Sequence, residues 1–232
     1  MPLHMKNILR KFIFLFSALT FYVMADSELT SINITSLNSN GVEHWQVKSF
    51  SGESSYNISE YQGRIALKAE SEDTASGLVL EQKIDLLKTP YINWSWLITN
   101  KIQPLNEKSK SGDDFVARIY IVIDGGLMLW KTKSLNYVWS SNQESGLVWK
   151  NPYAGNNVKM LSVKGQEAEV GKWYQEKRNV YQDLITIFGD QGSDSKNRKA
   201  YRYIDVIAIM TDTDNSGKKV ESYYGDIVFT IN

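Results

Sequence analysis

The chain has 232 residues, 26 of them basic and 26 acidic, giving a formal net charge of zero, and it contains no cysteine. Disulfides, thiol nucleophiles and thiolate metal sites are thereby excluded, and a near-neutral body argues against a nucleic-acid or anionic-membrane partner. Stability has to come from one large buried core, for which a chain of this length is sufficient.

At the amino terminus Lys6, Arg10 and Lys11 precede an uncharged apolar run from Phe12 to Met24, followed by Ala25 and Asp26. A basic start, a short apolar stretch and a small residue before an acid have the form of a signal peptide, here cut after Ala25. The run falls short of the roughly 20 apolar residues that a bilayer-spanning helix requires. The expectation is a periplasmic or secreted protein in which residues 26–232 form one domain and the membrane is met only through the uncleaved leader. Without the leader's three basic residues, 23 remain against 26 acidic ones.

From there on, alternation with period two dominates. Strands are predicted over 44–50, 64–69, 78–86, 91–98, 115–124, 127–132, 135–140, 158–163, 203–210 and 219–231, all rich in Ile, Val, Tyr and Trp. In 78–86 the apolar face is Leu78, Leu80, Ile84 and Leu86; in 115–124 it is Phe115, Ala117, Ile119, Ile121 and Ile123, with Val116, Arg118, Tyr120 and Val122 opposite. Turn clusters at Asn38–Gly41, Asp124–Gly126 and Asn215–Gly217 separate the strands. One interior stretch has helical spacing: Val180, Leu184, Ile187 and Phe188 follow Asn179, a fitting N-cap, and precede Gly189. It fits a short helix better than a strand. Segments 105–113 and 189–199 are polar and read as surface loops. Many short strands with close turns predict an all-β fold, an antiparallel β-sandwich of jelly-roll type with at most one short helix near 179–188.

Histidine is nearly absent, since His4 belongs to the leader and His44 stands alone. Neither a Ser-His-Asp triad nor a histidine-rich metal site can be built without a well-placed imidazole. Asp113 and Asp114, adjacent on an extended chain, point to opposite faces, whereas Asp114 and Arg118 share one. A salt bridge is the plain reading of that pair; the sharper one makes Arg118 a fork for a carboxylate or a sugar hydroxyl. Ile92, Trp94, Trp96 and Ile98 alternate as a core face, while Trp139 stands near Asn136 and Tyr137, and Trp149 near Asn151. Aromatic plates beside amides hold sugar rings, because C–H faces stack and hydroxyls need hydrogen-bond partners. Asp212, Asp214, Asn215 and Gly217 match the front of a calcium loop, but Tyr223 stands where a bidentate Glu belongs. Closing a hairpin between 203–210 and 219–231 is the simpler role for this loop. Were a metal held, it would be calcium on Asp212 and Asp214, with Asp226 adding an oxygen; no other cofactor is indicated.

Gly112-Asp113-Asp114-Phe115 with Arg118, then Asn136-Tyr137-Val138-Trp139, run in order with Trp173, Glu176, Arg178, Asn179, Asp183 and Phe188-Gly189. Thr211-Asp212-Thr213-Asp214-Asn215 and Tyr224-Gly225-Asp226-Ile227 complete the series, which covers most of the chain and resembles the bacterial family called domain of unknown function 3047. The resemblance implies an exported bacterial β-sandwich and lends weight to these polar residues without assigning them a reaction. The expected function is a noncatalytic binding module for a saccharide-like ligand, held by Asp114, Arg118, Asn136, Tyr137, Trp139, Arg178, Asn179 and Asp183. The alternatives are a polysaccharide-cleaving enzyme drawing on Asp114, Glu176, Asp183 and Asp226, or an envelope scaffold that meets another protein.

Overall fold

The computed structural model describes residues 31–39, 41–128 and 131–232, so the predicted leader and Trp130 lie outside the described residues. Two seven-stranded sheets face each other. The first contains β1 (Ser31–Asn33), β3 (Ser55–Tyr61), β4 (Arg64–Glu72), β6 (Tyr91–Ile98), β11 (Tyr174–Asn179), β13 (Lys219–Tyr224) and β14 (Val228–Thr230). The second contains β2 (Gln46–Ser51), β5 (Ala75–Asp85), β7 (Ala117–Ile123), β8 (Lys133–Trp139), β9 (Val148–Asn151), β10 (Gly155–Lys164) and β12 (Tyr203–Asp212). Its spatial order is β2-β5-β12-β7-β8-β10-β9, and among the described residues only β8 with β10 runs parallel.

Period-two alternation sorts the side chains between the faces. Leu78, Leu80, Ile119, Ile121, Tyr137, Trp139, Ile207 and Ile209 turn inward from the second sheet; Leu67, Ile92, Trp94, Trp96, Tyr224 and Phe229 meet them from the first. The aromatics interlock, with the Trp96 ring 5.7 Å from Trp139 and Trp94 stacked 5.5 Å from Tyr137. Burying such large rings supplies a core without any crosslink. The result is the predicted antiparallel, jelly-roll-like sandwich.

Strands β1, β3, β9 and β11 were not among those predicted, and four further details depart from the sequence reading. A second helix, α2 (Asp194–Tyr201), follows α1 (Val180–Phe188) inside the segment read as a loop. It has almost no apolar periodicity; it is held by the Ser193 cap on Lys196 N and by buried Tyr201. The run 219–231 divides into β13 and β14 at Gly225, where a Cβ would collide with the Ser95 hydroxyl. Loop 213–218 closes no hairpin, since β12 and β13 belong to opposite sheets and the loop crosses between them. Of the predicted strand 127–132, residues 129–130 lie outside the described residues, and Met128 N instead closes a turn on Gly125 O.

Candidate functional site

The outer face of the second sheet carries the site. Registers of β5, β12, β7, β8 and β10 align two cross-strand rows there: Gly77, Met210, Arg118 and Val138, then Val79, Ala208, Tyr120, Asn136 and Met160. Over these rows lies a cavity of about 410 Å³ lined by Phe50, Asp113, Arg118, Tyr120, Asn136, Asn151, Tyr153, Met210, Asp212 and Asp214. A second hollow of about 280 Å³ shares Phe50, Tyr120 and Met210 with it and extends over Gly77, Val79 and Ala208. The two form a groove across the strands, polar at one end and apolar at the other.

Loops wall the polar end. A 3-10 turn at Lys110–Gly112 delivers Asp113 and Asp114 ahead of β7. Asp114 faces away from the groove and braces the crossing loop, accepting from Asn215 N at 3.1 Å, Asn215 Nδ2 at 3.0 Å and Ser216 N at 2.7 Å. Asn151 shapes the turn between β9 and β10 by accepting from Tyr153 N and Ala154 N, and its Nδ2 donates to Asp113 Oδ2 at 2.9 Å. Tyr153 and Phe50 remain 59% and 66% exposed as flanking rings.

Arg118 is the floor's central group. It is 2% exposed, with its guanidinium 4.9 Å from the Phe115 ring centre and 5.0 Å from that of Tyr120. Nη2 donates to Asp212 Oδ2 at 2.5 Å, and Nη1 stands 3.7 Å from Asp113 Oδ2. Among the described residues Nε has no hydrogen-bond partner, nor has Asp113 Oδ1, and both atoms are buried. Two neighbouring donors find only thioether sulfur: Asn136 Nδ2 lies 3.3 Å from Met160 Sδ, and Tyr120 Oη lies 3.3 Å from Met210 Sδ. Thioether sulfur is a weak acceptor, and buried polar atoms in folded proteins are nearly always better paired than this.

Charge at this end is unbalanced. Asp113, Asp212 and Asp214 line the cavity beside a single guanidinium, with Asp114 directly behind. Burial pushes Asp212 up to about 8 against the pull of Arg118, with Asp114 and Asp113 adding to the rise. Burial likewise raises Asp113 and Asp214. Burial opposes the charge on Arg118, yet Asp212 holds its pKa above the ordinary value. Several carboxylates around one cation cannot all ionise cheaply in a dry setting, so the cluster retains a proton near neutrality.

Of the residues expected to bind ligand, the structure brings Arg118 and Asn136 to the groove. The Asp114–Arg118 pair does not form, because the chain is not yet a strand at Asp114 and strand alternation fails there; Arg118 pairs with Asp212 instead. The same break turns Phe115 outward, into a small outer cluster with Val138, Trp149 and Met160. Tyr137 and Trp139 are fully buried between the sheets and offer no plate to a ligand. Arg178, Asp183 and Asn179 gather elsewhere, at the start of α1. Arg178 grips Asp183 through Nε at 2.9 Å and Nη2 at 2.5 Å, Tyr137 Oη donates to Asp183 at 2.8 Å, and Asn179 caps the helix on Gln182 N. Asp113, Asn151, Tyr120 and Tyr153 belong to the site and were not predicted as ligand residues. Asp113 was signalled by the family pattern, Asn151 by its place beside Trp149 and Tyr120 by sharing a strand face with Arg118, whereas Tyr153 carried no signal.

The calcium set is also regrouped. Asp212 and Asp214 have carboxylate oxygens within 4.8 Å of Asp114, whereas Asp226 lies outside this group and accepts from Thr35 Oγ1 and Leu37 N. Asp212 meets Arg118 and Phe115 N, and both Asp114 oxygens meet loop donors. Carboxylates already facing N–H groups and a guanidinium fit hydrogen-bond donors better than a hard cation.

Comparison with solved structures finds similar chains of low identity. The cellulase Cel12A variant derived from Rhodothermus marinus is 12% identical, with 80% of this chain and 95% of that one aligned and a TM-score of 0.42. The xyloglucanase domain of NopAA from Sinorhizobium fredii, in complex with cellobiose, is 8% identical over 80% and 97% of the chains, with a TM-score of 0.40. A mutant of the family 29 carbohydrate-binding module CBM29-2 is 9% identical over 81% and 92%, with a TM-score of 0.34. Likeness of this degree bears on neither the site nor the ligand. No curated protein matches the sequence. A family model matches residues 43–228, which shows that the chain belongs to the family described as protein of unknown function DUF3047.

Proposed function

We propose that this protein is an exported, noncatalytic module that binds a saccharide in the groove on the outer face of its second sheet. The observation that carries the reading is the groove itself, in which Arg118, Asn136, Asn151 and Asp214 offer polar side chains and in which Asn136 Nδ2 and Tyr120 Oη meet thioether sulfur. Sugar hydroxyls donate and accept at once, so one ring edge can pair with a carboxylate oxygen and with N–H groups together. Phe50, Tyr120 and Tyr153 supply ring faces for its C–H surfaces. The noncatalytic part draws support from the four acids first considered for hydrolysis. Asp114 braces a loop, Asp183 is held by Arg178, Asp226 by Thr35 and Leu37, and Glu176 by Lys164 and Trp96 Nε1.

Isothermal titration with soluble oligosaccharides tests the binding reading: the wild type gives a saturable signal that Arg118→Met removes. A reducing-end assay on the same sugars tests the noncatalytic part, and product formation lost on Asp113→Asn would replace it with hydrolysis. The amino-terminal sequence of the mature protein tests export; a chain that keeps residues 1–25 ends that part of the proposal.

A further inference from the structure

Resting on the saccharide reading, the apolar end of the groove places a second requirement on the ligand. Strand register sets Val79 beside Ala208, and Val206 between Glu81 and Val122, on the outward side of β5, β12 and β7. All four aliphatic side chains are half-buried, whereas the solvent side of an antiparallel sheet ordinarily carries polar residues. Gly77 and Ala208 raise nothing larger than a methyl from the floor, and the hollow over them holds about 280 Å³. This lane opens into the polar cavity, since Phe50, Tyr120 and Met210 line both.

The size and chemistry of the lane choose its occupant. Four half-buried side chains, none larger than valine, fall far short of the roughly 800 Å² per partner that a stable protein interface buries. An extended peptide fares no better: the N–H and C=O groups of β5, β12 and β7 are spent on one another in the ladders, so the floor offers its backbone no partner. A further sugar ring would need hydroxyl partners, yet the charged groups at this end are Lys48, which lies over the Phe50 ring at 5.6 Å, and exposed Glu81 at the rim. A hydrocarbon chain needs no hydrogen bond and gains from each methylene taken out of water. We infer that the groove takes an amphiphile, a glycan head over Arg118 and Asn136 joined to an alkyl chain in the lane over Gly77, Val79 and Ala208. From β2 to β7 the lane crosses three interstrand steps, roughly 14 Å, which suits a chain of about ten carbons.

The test is isothermal titration with alkyl maltosides from methyl to dodecyl, each below its micelle-forming concentration, with decylphosphocholine as a chain that lacks a sugar. Affinity should rise about two- to threefold per methylene, against about fourfold for full burial, and level off near ten carbons. Ala208→Leu fills the lane from its floor at an outward position and should reduce the ratio of octyl to methyl maltoside affinity by at least about tenfold. Val206→Thr keeps the side-chain shape but adds a hydroxyl; it gives a smaller loss in the same direction and covers the case in which the first variant does not fold. Equal affinity for methyl and octyl maltoside overturns the amphiphile inference, and the saccharide reading stands if soluble oligosaccharides still bind. Decylphosphocholine binding as tightly as decyl maltoside overturns the glycan head, and silence with every probe overturns both readings. A dimer in sedimentation that Ala208→Leu separates gives the lane to a second copy of the chain and overturns the inference.

Discussion

Two places in this molecule set an arginine against a buried aspartate, and they are built differently. At the start of α1, Arg178 forks onto both oxygens of Asp183 while Tyr137 donates to the same carboxylate. The group is closed, ties α1 to β8 and β11, and lines none of the cavities described above. On the outer face of the second sheet, Arg118 reaches Asp212 with one nitrogen, and its Nε and Asp113 Oδ1 are buried beside a cavity without a hydrogen-bond partner among the described residues. A closed network is complete as architecture; an open one retains hydrogen-bonding capacity that the fold does not use.

Removing a member of the closed network should have the largest effect on stability. Asp183→Ala leaves the Tyr137 hydroxyl buried without its partner and Arg178 without its fork, and should cost about 3 kcal/mol. At roughly 2–4 °C per kcal/mol for a domain of this size, calorimetry should read a fall of about 6–12 °C. Saccharide titration of the folded variant should match wild type; a lost signal would erase the contrast between the two sites.

Arg118→Met tests the other side. Loss of a charged donor should weaken saccharide binding by about 10- to 100-fold, the worth of a hydrogen bond to a charged group. The fold should lose less than with Asp183→Ala, because Asp113 and Asp212 are already inclined to keep their protons. If melting falls more than in the helix variant, Arg118 is chiefly a brace.

Protonation sharpens the comparison again. Asp113 and Asp212 have folded-state pKa values above those of the unfolded chain, so the native state binds protons more tightly. The contribution of Asp212 is therefore complete below the ordinary carboxylate range and is lost as the pH rises through about 8, and Asp113 acts in the same direction. Melting curves should show a decline on the order of 1–2 kcal/mol from pH 6 to pH 9, within the reach of a shift worth roughly 1.4 kcal/mol per unit. Asp212→Asn should flatten it, and a profile that rises across this window would contradict the unbalanced cluster.

The smallest effect belongs to the rim. Tyr153→Ala should leave stability within about 0.5 kcal/mol, as surface changes do, yet weaken saccharide binding several-fold through the lost ring face. Unchanged affinity would confine the ligand to the floor of the groove.

How these residues were legible follows from the range of each interaction. Alternation in β6 showed that Trp94 and Trp96 face the core, and Asn179 with the spacing to Phe188 showed a capped helix, because both signals act within a few residues. Asn136 and Arg118 were visible as polar residues in strands. Trp139 misled, since a large ring beside amides reads the same whether its face is solvent or core.

The sequence by itself determined the sandwich class, the core faces of β5, β6 and the body of β7, the α1 cap and a family pattern, all properties of neighbouring residues and their periodicity. Only the tertiary structure decided that Asp212 reaches Arg118, that Asp113 rather than Asp114 enters the groove, and that Arg178 and Asp183 lie at a different site. Those outcomes depend on the register of β12 against β7 and on where strand geometry begins after Gly112. Pairing across nearly a hundred residues is set by packing of the whole core, which no local pattern encodes.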